Sequence, residues 1–260
     1  LRELAQASAE RLRAAMERVP LSALREACAS LPPARGFRSA LDRPGPRIIA
    51  EVKRASPSAG ALRTGAAAAE IAALYERSGA AAISVLTEPT RFGGSLHDLA
   101  AVRHAVALPL LRKDFTVGAY QVWEARAAGA DAVLLIVAML QPPELTELLA
   151  EAALVGVDAL VEVHDAAELE VALAAGATLI GVNNRNLHTL HIDLATSAAL
   201  APRLRAFPHV LAVSESGIQQ AEHVRQMMGF GYRALLVGSH LMSSPDPGAA
   251  LTALLAPEQP

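Results

Sequence analysis

DAVLLIVAMLQPPELTELLAEAALVGVDALVEVHDAAELEVALAAGATLIGVN, residues 131–183, repeats one rhythm. Three short runs rich in Val, Leu and Ile, DAVLLI (131–136), DALVEV (158–163) and TLIGVN (178–183), have the length of strands. Between them lie PPELTELLAEAALVG and AAELEVALAAG, alanine-rich stretches whose apolar residues recur with the helical period. Each stretch ends on a glycine, Gly156 or Gly176, the residue that most easily takes the left-handed backbone of a helix C-cap. A helix between two strands carries the chain back to the same edge, so the strands pair in parallel.

The rhythm continues in both directions. Upstream are RIIAEV (47–52), AAISVL (81–86) and PLLRK (109–113), and downstream VLAVSE (210–215) and ALLVG (234–238). AAAAEIAALYERSG and AYQVWEARAAG supply further helices, closing on Gly79 and Gly129. Eight strand–helix units in about 215 residues fit an α/β fold of the (β/α)8 TIM-barrel type. The competitor is a doubly wound open sheet, which carries a G-x-G-x-x-G turn after its first strand; here that turn reads KRASPSAG (53–60). Ahead of the barrel, Leu4, Leu12, Met16 and Leu21 predict one amphipathic helix and Leu21 to Leu31 a second. LPPARGFRSALDRPGP (31–46), with four prolines and two glycines, reads as a linker. The expected organisation is a helical extension, 1–45, packed on a barrel, 46–260, in a single domain.

Composition narrows the function. The chain of 260 residues is 52% hydrophobic and 19% charged, too apolar for a disordered polyelectrolyte. A net charge of −3 lacks the basic footprint of a nucleic-acid binder. The one cysteine, Cys28, leaves no intrachain disulfide and no four-cysteine zinc site. No apolar run has the length of a membrane span, and LRELAQASAERLRAAMERVP lacks the apolar region of a secretion signal, so a cytoplasmic address is expected. The eight histidines are scattered, and the His188–His191 pair has no acidic partner at ligand spacing, so no metal is expected.

In such a barrel, catalytic groups sit at the carboxyl ends of strands. Of 23 basic residues only Lys53 and Lys113 are lysine, and both fall at strand ends. Arginine keeps its proton permanently; a lysine retained in an arginine-rich chain points to an amine whose pKa is pulled down so that it can give and take a proton. All three asparagines lie in GVNNRN after the sixth strand. Asn183 is placed to point at a ligand, whereas Asn184 or Asn186 suits a turn with left-handed residues. Glu51 precedes Lys53 by two and shares its face of the strand. Glu162, flanked by Val161 and Val163, faces opposite to them, and is either salt-bridged or a general base. Glu215 ends the seventh strand; Asp114 and His164 read as loop, capping or supporting groups. Ser216-Gly217 and Gly238-Ser239 follow strands seven and eight, where such barrels bind phosphate, with Lys53 and Arg185 as balancing cations.

The motifs IIAEVKRASPS (48–58), SVLTE with FGGS (84–95), LRKDF (111–115), VEVHD (161–165), IGVNNRNL (180–187), SESGI (214–218) and LVGSHLM (236–242) run in order along nearly the whole chain. By these motifs the chain resembles the indole-3-glycerol phosphate synthases of tryptophan biosynthesis. The resemblance implies a (β/α)8 barrel without metal or organic cofactor. Its substrate would be 1-(2-carboxyphenylamino)-1-deoxyribulose 5-phosphate, closed to an indole with loss of CO2 and water. It implies Lys113 as the general acid at the ribulose carbonyl and Glu162 as the base of the dehydration. Lys53, paired with Glu51, would contact substrate and is the candidate second acid. Asn183 and Glu215 would orient the reacting part, and Arg185 the anionic substrate. Ser56, Ser216, Gly217, Gly238 and Ser239 would hold phosphate, and Phe92, Phe115, Leu134 and Leu187 would sandwich the anthranilate ring, with core packing the equal alternative for these four. A small phosphorylated substrate is the expected partner, with no nucleic acid and no membrane, in a monomer with a dimer as the alternative. Two departures from the family pattern, Ala59 after SPS and Arg233 near strand eight, put loop and rim contacts in question.

Two rivals remain at this point. Phosphoribosylanthranilate isomerase, on a similar barrel, relies on a Cys-and-Asp pair, but Cys28 lies outside the strand ends. A catalytically inactive, ligand-binding scaffold would tolerate loss of Lys53, Lys113 or Glu162, and all three are present.

Overall fold

The computed structural model describes residues 2–56, 60–63, 65–187 and 189–256, without the side chains of Ser56 and Ala61. Its barrel strands are β1 (Arg47–Val52), β2 (Ala82–Leu86), β3 (Leu110–Lys113), β4 (Ala132–Ile136), β5 (Asp158–Val163), β6 (Leu179–Asn183), β7 (Leu211–Glu215) and β8 (Ala234–Val237). Each pairs in parallel with the next, and β8 returns to β1 through Arg47 opposite Ala234 and Ala50 opposite Val237. Closure excludes the open doubly wound sheet, which has two free edges. Every strand lies within one residue of its predicted bounds.

The period of two sorts each strand's residues. Outward positions such as Ile48, Ala50, Val52, Val161, Val163, Ile180, Val182, Leu235 and Val237 join the shell between sheet and helices. Inward positions such as Ile49, Leu111, Leu134, Leu160, Leu179, Val213 and Leu236 fill the barrel. Followed toward the carboxyl ends, the inward rows run out of apolar residues: Ile49 leads to Glu51 and Lys53, Leu111 to Lys113, Leu160 to Glu162, Leu179 through Gly181 to Asn183, and Val213 to Glu215. The polar mouth is therefore the top layer of the barrel's own core.

The outer helices include α4 (Ala68–Arg77), α6 (Leu96–Ala105), α7 (Ala119–Ala127), α8 (Pro142–Val155), α9 (Ala166–Ala174), α10 (Ala195–Arg205), α11 (Ala221–Phe230) and α13 (Pro247–Leu255). Two short ones, α5 (Pro89–Phe92) and α12 (Ser239–Ser243), follow β2 and β8. The predicted C-caps hold: Gly156 follows α8 with φ of 77°, and its N–H donates to the Ala152 and Ala153 carbonyls of the helix end.

The extension forms α1 (Arg2–Arg18) and α2 (Leu21–Ala29), as predicted. Leu24 packs with Tyr120 and Trp123 of α7, and the Tyr120 hydroxyl donates to the Ala15 and Val19 carbonyls. The linker expected over 31–46 needs correction. It contains a helix, α3 (Phe37–Leu41), whose Phe37 and Leu41 are fully buried against the barrel interior with Ile49, Ala82 and Leu111. Two backbone N–H groups anchor it, Arg35 to Asp131 and Arg38 to Asp158, each at 2.8 Å. Five residues between prolines are too few for a visible period; only the barrel's open lower end explains why their apolar groups are buried.

Candidate active site

At the carboxyl ends the inward rows converge on one ion-paired cluster. Lys113 Nζ donates to Glu162 Oε2 at 2.7 Å and to Glu215 Oε2 at 3.0 Å. Asn183 Nδ2 donates to Glu162 Oε1 at 3.0 Å, and its own Oδ1 accepts from the Arg185 N–H at 3.0 Å. Across the mouth, Lys53 Nζ donates to Glu51 Oε1 at 2.7 Å, and Ser84 Oγ reaches Glu51 Oε2 at 3.4 Å. All three carboxylates are buried. Two glycines admit this crowding. A Cβ on Gly181 would overlap Glu215 Oε1, and one on Gly238 would overlap Glu51 Oε1 and stand 3.1 Å from Lys53 Nζ.

The electrostatics correct one expectation. Burial pushes the Lys113 ammonium down, but the carboxylates of Glu162, Glu215 and Glu51 outweigh it and hold the amine above its ordinary range. Lys113 thus holds its proton firmly until something displaces a carboxylate. Glu162 and Glu215 share this cation and split in opposite directions. Burial raises Glu162, but Lys113 and His164 outweigh burial and leave it well below the usual carboxylate range. Glu215 is pushed up to about 7 by burial and by the Glu162 charge, against the pull of Lys113. Its Oε1 is buried without a hydrogen-bond partner, as suits a carboxyl that ionises reluctantly.

Beside the cluster is a cavity of about 140 Å³, lined by Lys53, Lys113, Glu162, Asn183, Arg185 and Glu215 on its polar side. Phe92, Phe115, Leu134 and Leu187 line its apolar side, with the Phe92 and Phe115 rings 6.1 Å apart. A second cavity of about 90 Å³ shares Glu51, Lys53, Arg185 and Ser216 with the first and adds Gly217, Gly238 and Ser239. The structure therefore brings together fifteen of the sixteen predicted site residues. The sixteenth, Ser56, has its side chain outside the described residues. Of the loop over 54–64, residues 57–59 and 64 lie outside them too; the described part pairs Ala55–Ser56 with Gly60–Ala61 and is anchored by Arg54 on Asp98 at 2.6 Å.

Neither Asn184 nor Asn186 is left-handed, contrary to expectation; among the described residues the left-handed non-glycine ones are Leu190 and Ser216. Asn184 is instead a buried clamp, its Nδ2 donating to Ser214 Oγ and to the Glu215 and Ser216 carbonyls. It holds Ser216 at a φ of 66°, a strained backbone for a residue with a Cβ, at the turn into Gly217. Asp114, expected to be a supporting group, does touch the cavity and also accepts from Thr87 at 2.7 Å and Arg11 at 3.0 Å. Through Arg11 and Ser8, which donates to the Phe115 carbonyl, α1 reaches the loop after β3.

Sequence reasoning missed Leu86, Ile136 and Leu236 as wall residues. Leu134 to Ile136 is one step of the inward row, so the alternation that placed the glutamates could have placed these. Arg233 is misplaced as a rim residue: it precedes β8 at the opposite end and pairs with Asp42 at 3.1 Å. A cavity of about 230 Å³ there, lined by Arg38, Asp42 and Arg233, is remote from the cluster. Ala59 and His188 lie outside the described residues. Among the described residues no group of three or more His, Cys, Asp or Glu is set to hold a metal ion, and no helix is long and apolar enough to cross a membrane. Cys28 sits on α2 with its Sγ 3.5 Å from the Trp123 carbonyl, away from the mouth.

The family model for indole-3-glycerol phosphate synthase matches residues 1–254. The chain belongs to the indole-3-glycerol phosphate synthase family. It is 50% identical over 239 residues to indole-3-glycerol phosphate synthase 1 of Streptomyces coelicolor, covering 92% of this chain and 88% of that one. Identity to the indole-3-glycerol phosphate synthase of Parafrankia sp. is 52%, covering 87% and 84%. The indole-3-glycerol phosphate synthase of Azoarcus sp. is 46% identical over 258 residues, 98% of each chain. Membership in this indole-3-glycerol phosphate synthase family favours the enzyme over both the isomerase and the inactive scaffold.

Proposed function

We propose that this chain works as an indole-3-glycerol phosphate synthase of the carboxy-lyase type, closing the pyrrole ring of 1-(2-carboxyphenylamino)-1-deoxyribulose 5-phosphate. The observation that carries the site assignment is the bidentate placement of Lys113 between Glu162 and Glu215, beside an apolar slot and next to a glycine-lined anion pocket. The anthranilate ring would lie between Phe92, Phe115, Leu134 and Leu187. The phosphate would sit against Ser216, Gly217, Gly238 and Ser239, with Ser56 closing from the loop. Lys53 and Arg185, shared by both cavities, would balance the substrate's anionic charge.

In this reading Lys113 protonates the ribulose carbonyl oxygen, and the ring carbon bearing the carboxylate attacks the carbonyl carbon. A carbon–carbon bond forms; the bond to the carboxylate then breaks, CO2 leaves, and its electron pair restores the aromatic ring. The new hydroxyl departs as water, protonated by an acid, with Lys53 the candidate. Glu162 takes the ring proton lost as the final double bond forms. Glu51 holds Lys53 in place through their 2.7 Å contact, and Asn183 and Glu215 orient Glu162 and Lys113. The same reading includes residues 1–45 as a packed extension of a one-domain protein, a reaction free of cofactor, and a cytoplasmic monomer.

The test follows indole fluorescence from this substrate in buffer containing EDTA. Turnover by the natural chain, lost in Lys113→Met, is the expected result. Substrate binding without turnover in the natural chain would move it to the scaffold reading.

A further inference from the structure

Glu162 has two cationic neighbours, and the proposed reaction removes one of them. Lys113 holds Oε2; on the other side, His164 Nε2 lies 3.2 Å from Oε1. His164 is the next inward position of the β5 row after Glu162. Its ring is fixed from behind: Nδ1 is 2.9 Å from Glu168 Oε2, and the same oxygen accepts the His164 N–H at 2.8 Å. Glu168 stands in the first turn of α9, where the helix end favours its charge. Burial alone would lower the imidazole, but Glu162 and Glu168 outweigh it and push His164 up to about 10.

When Lys113 gives its proton to substrate it becomes neutral. Without His164, Glu162 would then be a buried carboxylate facing Glu215 with no cation, and would take up a proton before the dehydration needs it. We propose that His164, held by Glu168 and facing Glu162, is the positioning residue that keeps the Glu162 carboxylate ionised after Lys113 has discharged. This rests on the reading of Lys113 as acid and Glu162 as base. The other groups facing Glu162 are Lys113 from β3, Asn183 from β6 and Glu215 from β7, with Glu51 of β1 acting through Lys113. On its open side His164 borders a cavity of about 250 Å³ whose remaining charged or titratable walls are Arg185, His191 and Asp193.

The experiment is the pH profile of kcat for the natural chain, His164→Asn and Glu168→Gln, with melting temperatures of each. Losing the neighbouring cation should move the acid limb up by about one pH unit or more in His164→Asn. Glu168→Gln should move it less, in the same direction, with KM changed less than about twofold in both variants. An unmoved acid limb, or a loss confined to KM, overturns the proposal. If His164→Asn does not fold, Glu168→Gln carries the test alone. Glu162→Gln is run alongside: unchanged turnover there would overturn the base assignment itself, separately from the role of His164.

Discussion

Lys113 Nζ and Glu162 Oε2, 49 positions apart in the chain, meet at 2.7 Å and join β3 to β5 across the barrel mouth. Acid and base of the proposed reaction are therefore ion-paired at rest, and substrate must separate them.

This pairing makes Lys113→Met costly to the fold as well as to turnover. Two buried carboxylates lose their cation, a change of about 3–5 kcal/mol at neutral pH. Glu162, held below its ordinary value, contributes stability that is present above the unfolded carboxylate pKa of about 4.3 and lost as pH falls through its folded value. Urea unfolding should show a wide gap between the natural chain and Lys113→Met at pH 7 that narrows toward acid. A gap independent of pH would contradict the pairing.

Glu215 has the opposite sign. Its folded pKa, raised to about 7, makes it a stabilising neutral acid below about pH 4.3, a contribution lost as pH rises through about 7. Glu215→Gln stays neutral throughout, so its melting temperature should gain on that of the natural chain between pH 5 and 8. Parallel curves would show that Glu215 is ionised over the whole range.

Phe37→Ala should act on stability alone. The ring plugs the barrel's lower end, remote from Lys113, and its loss should cost about 3–5 kcal/mol through the cavity it leaves. Below the variant's melting temperature kcat/KM should be unchanged. A fall in kcat/KM without a fall in stability would refute the plug.

Gly238→Ala tests the crowded mouth. The added methyl overlaps Glu51 Oε1 and stands 3.1 Å from Lys53 Nζ, so it strains the Glu51–Lys53 pair. Misplacing these groups by about 1 Å should lower kcat/KM by about 10²-fold with little change in secondary structure, read by steady-state kinetics and circular dichroism. Natural kinetics would show that Glu51 relaxes at no cost.

Much of this was readable along the chain because it follows from local periodicity. The period of two put Glu51 with Lys53, and set Glu162 opposite Val161 and Val163; the helical period and glycine C-caps bounded the strands. With eight such units counted, the strand ends named the site. The family motifs added roles that spacing alone leaves open.

What the chain by itself determined is therefore which side chains face inward and at which end, since that depends on neighbours two to four residues away. Tertiary structure alone decided the rest. Lys113 looked like an amine of lowered pKa, yet Glu162, Glu215 and Glu51 come from strands β5, β7 and β1 to raise it. Phe37 and Leu41 looked like linker until the barrel's open lower end received them. His164 looked like a loop group until Glu162 and Glu168 closed on its two nitrogens. In each case the deciding force, charge at 3 Å or burial of an apolar group, acts between atoms that only closure of the barrel brings into range.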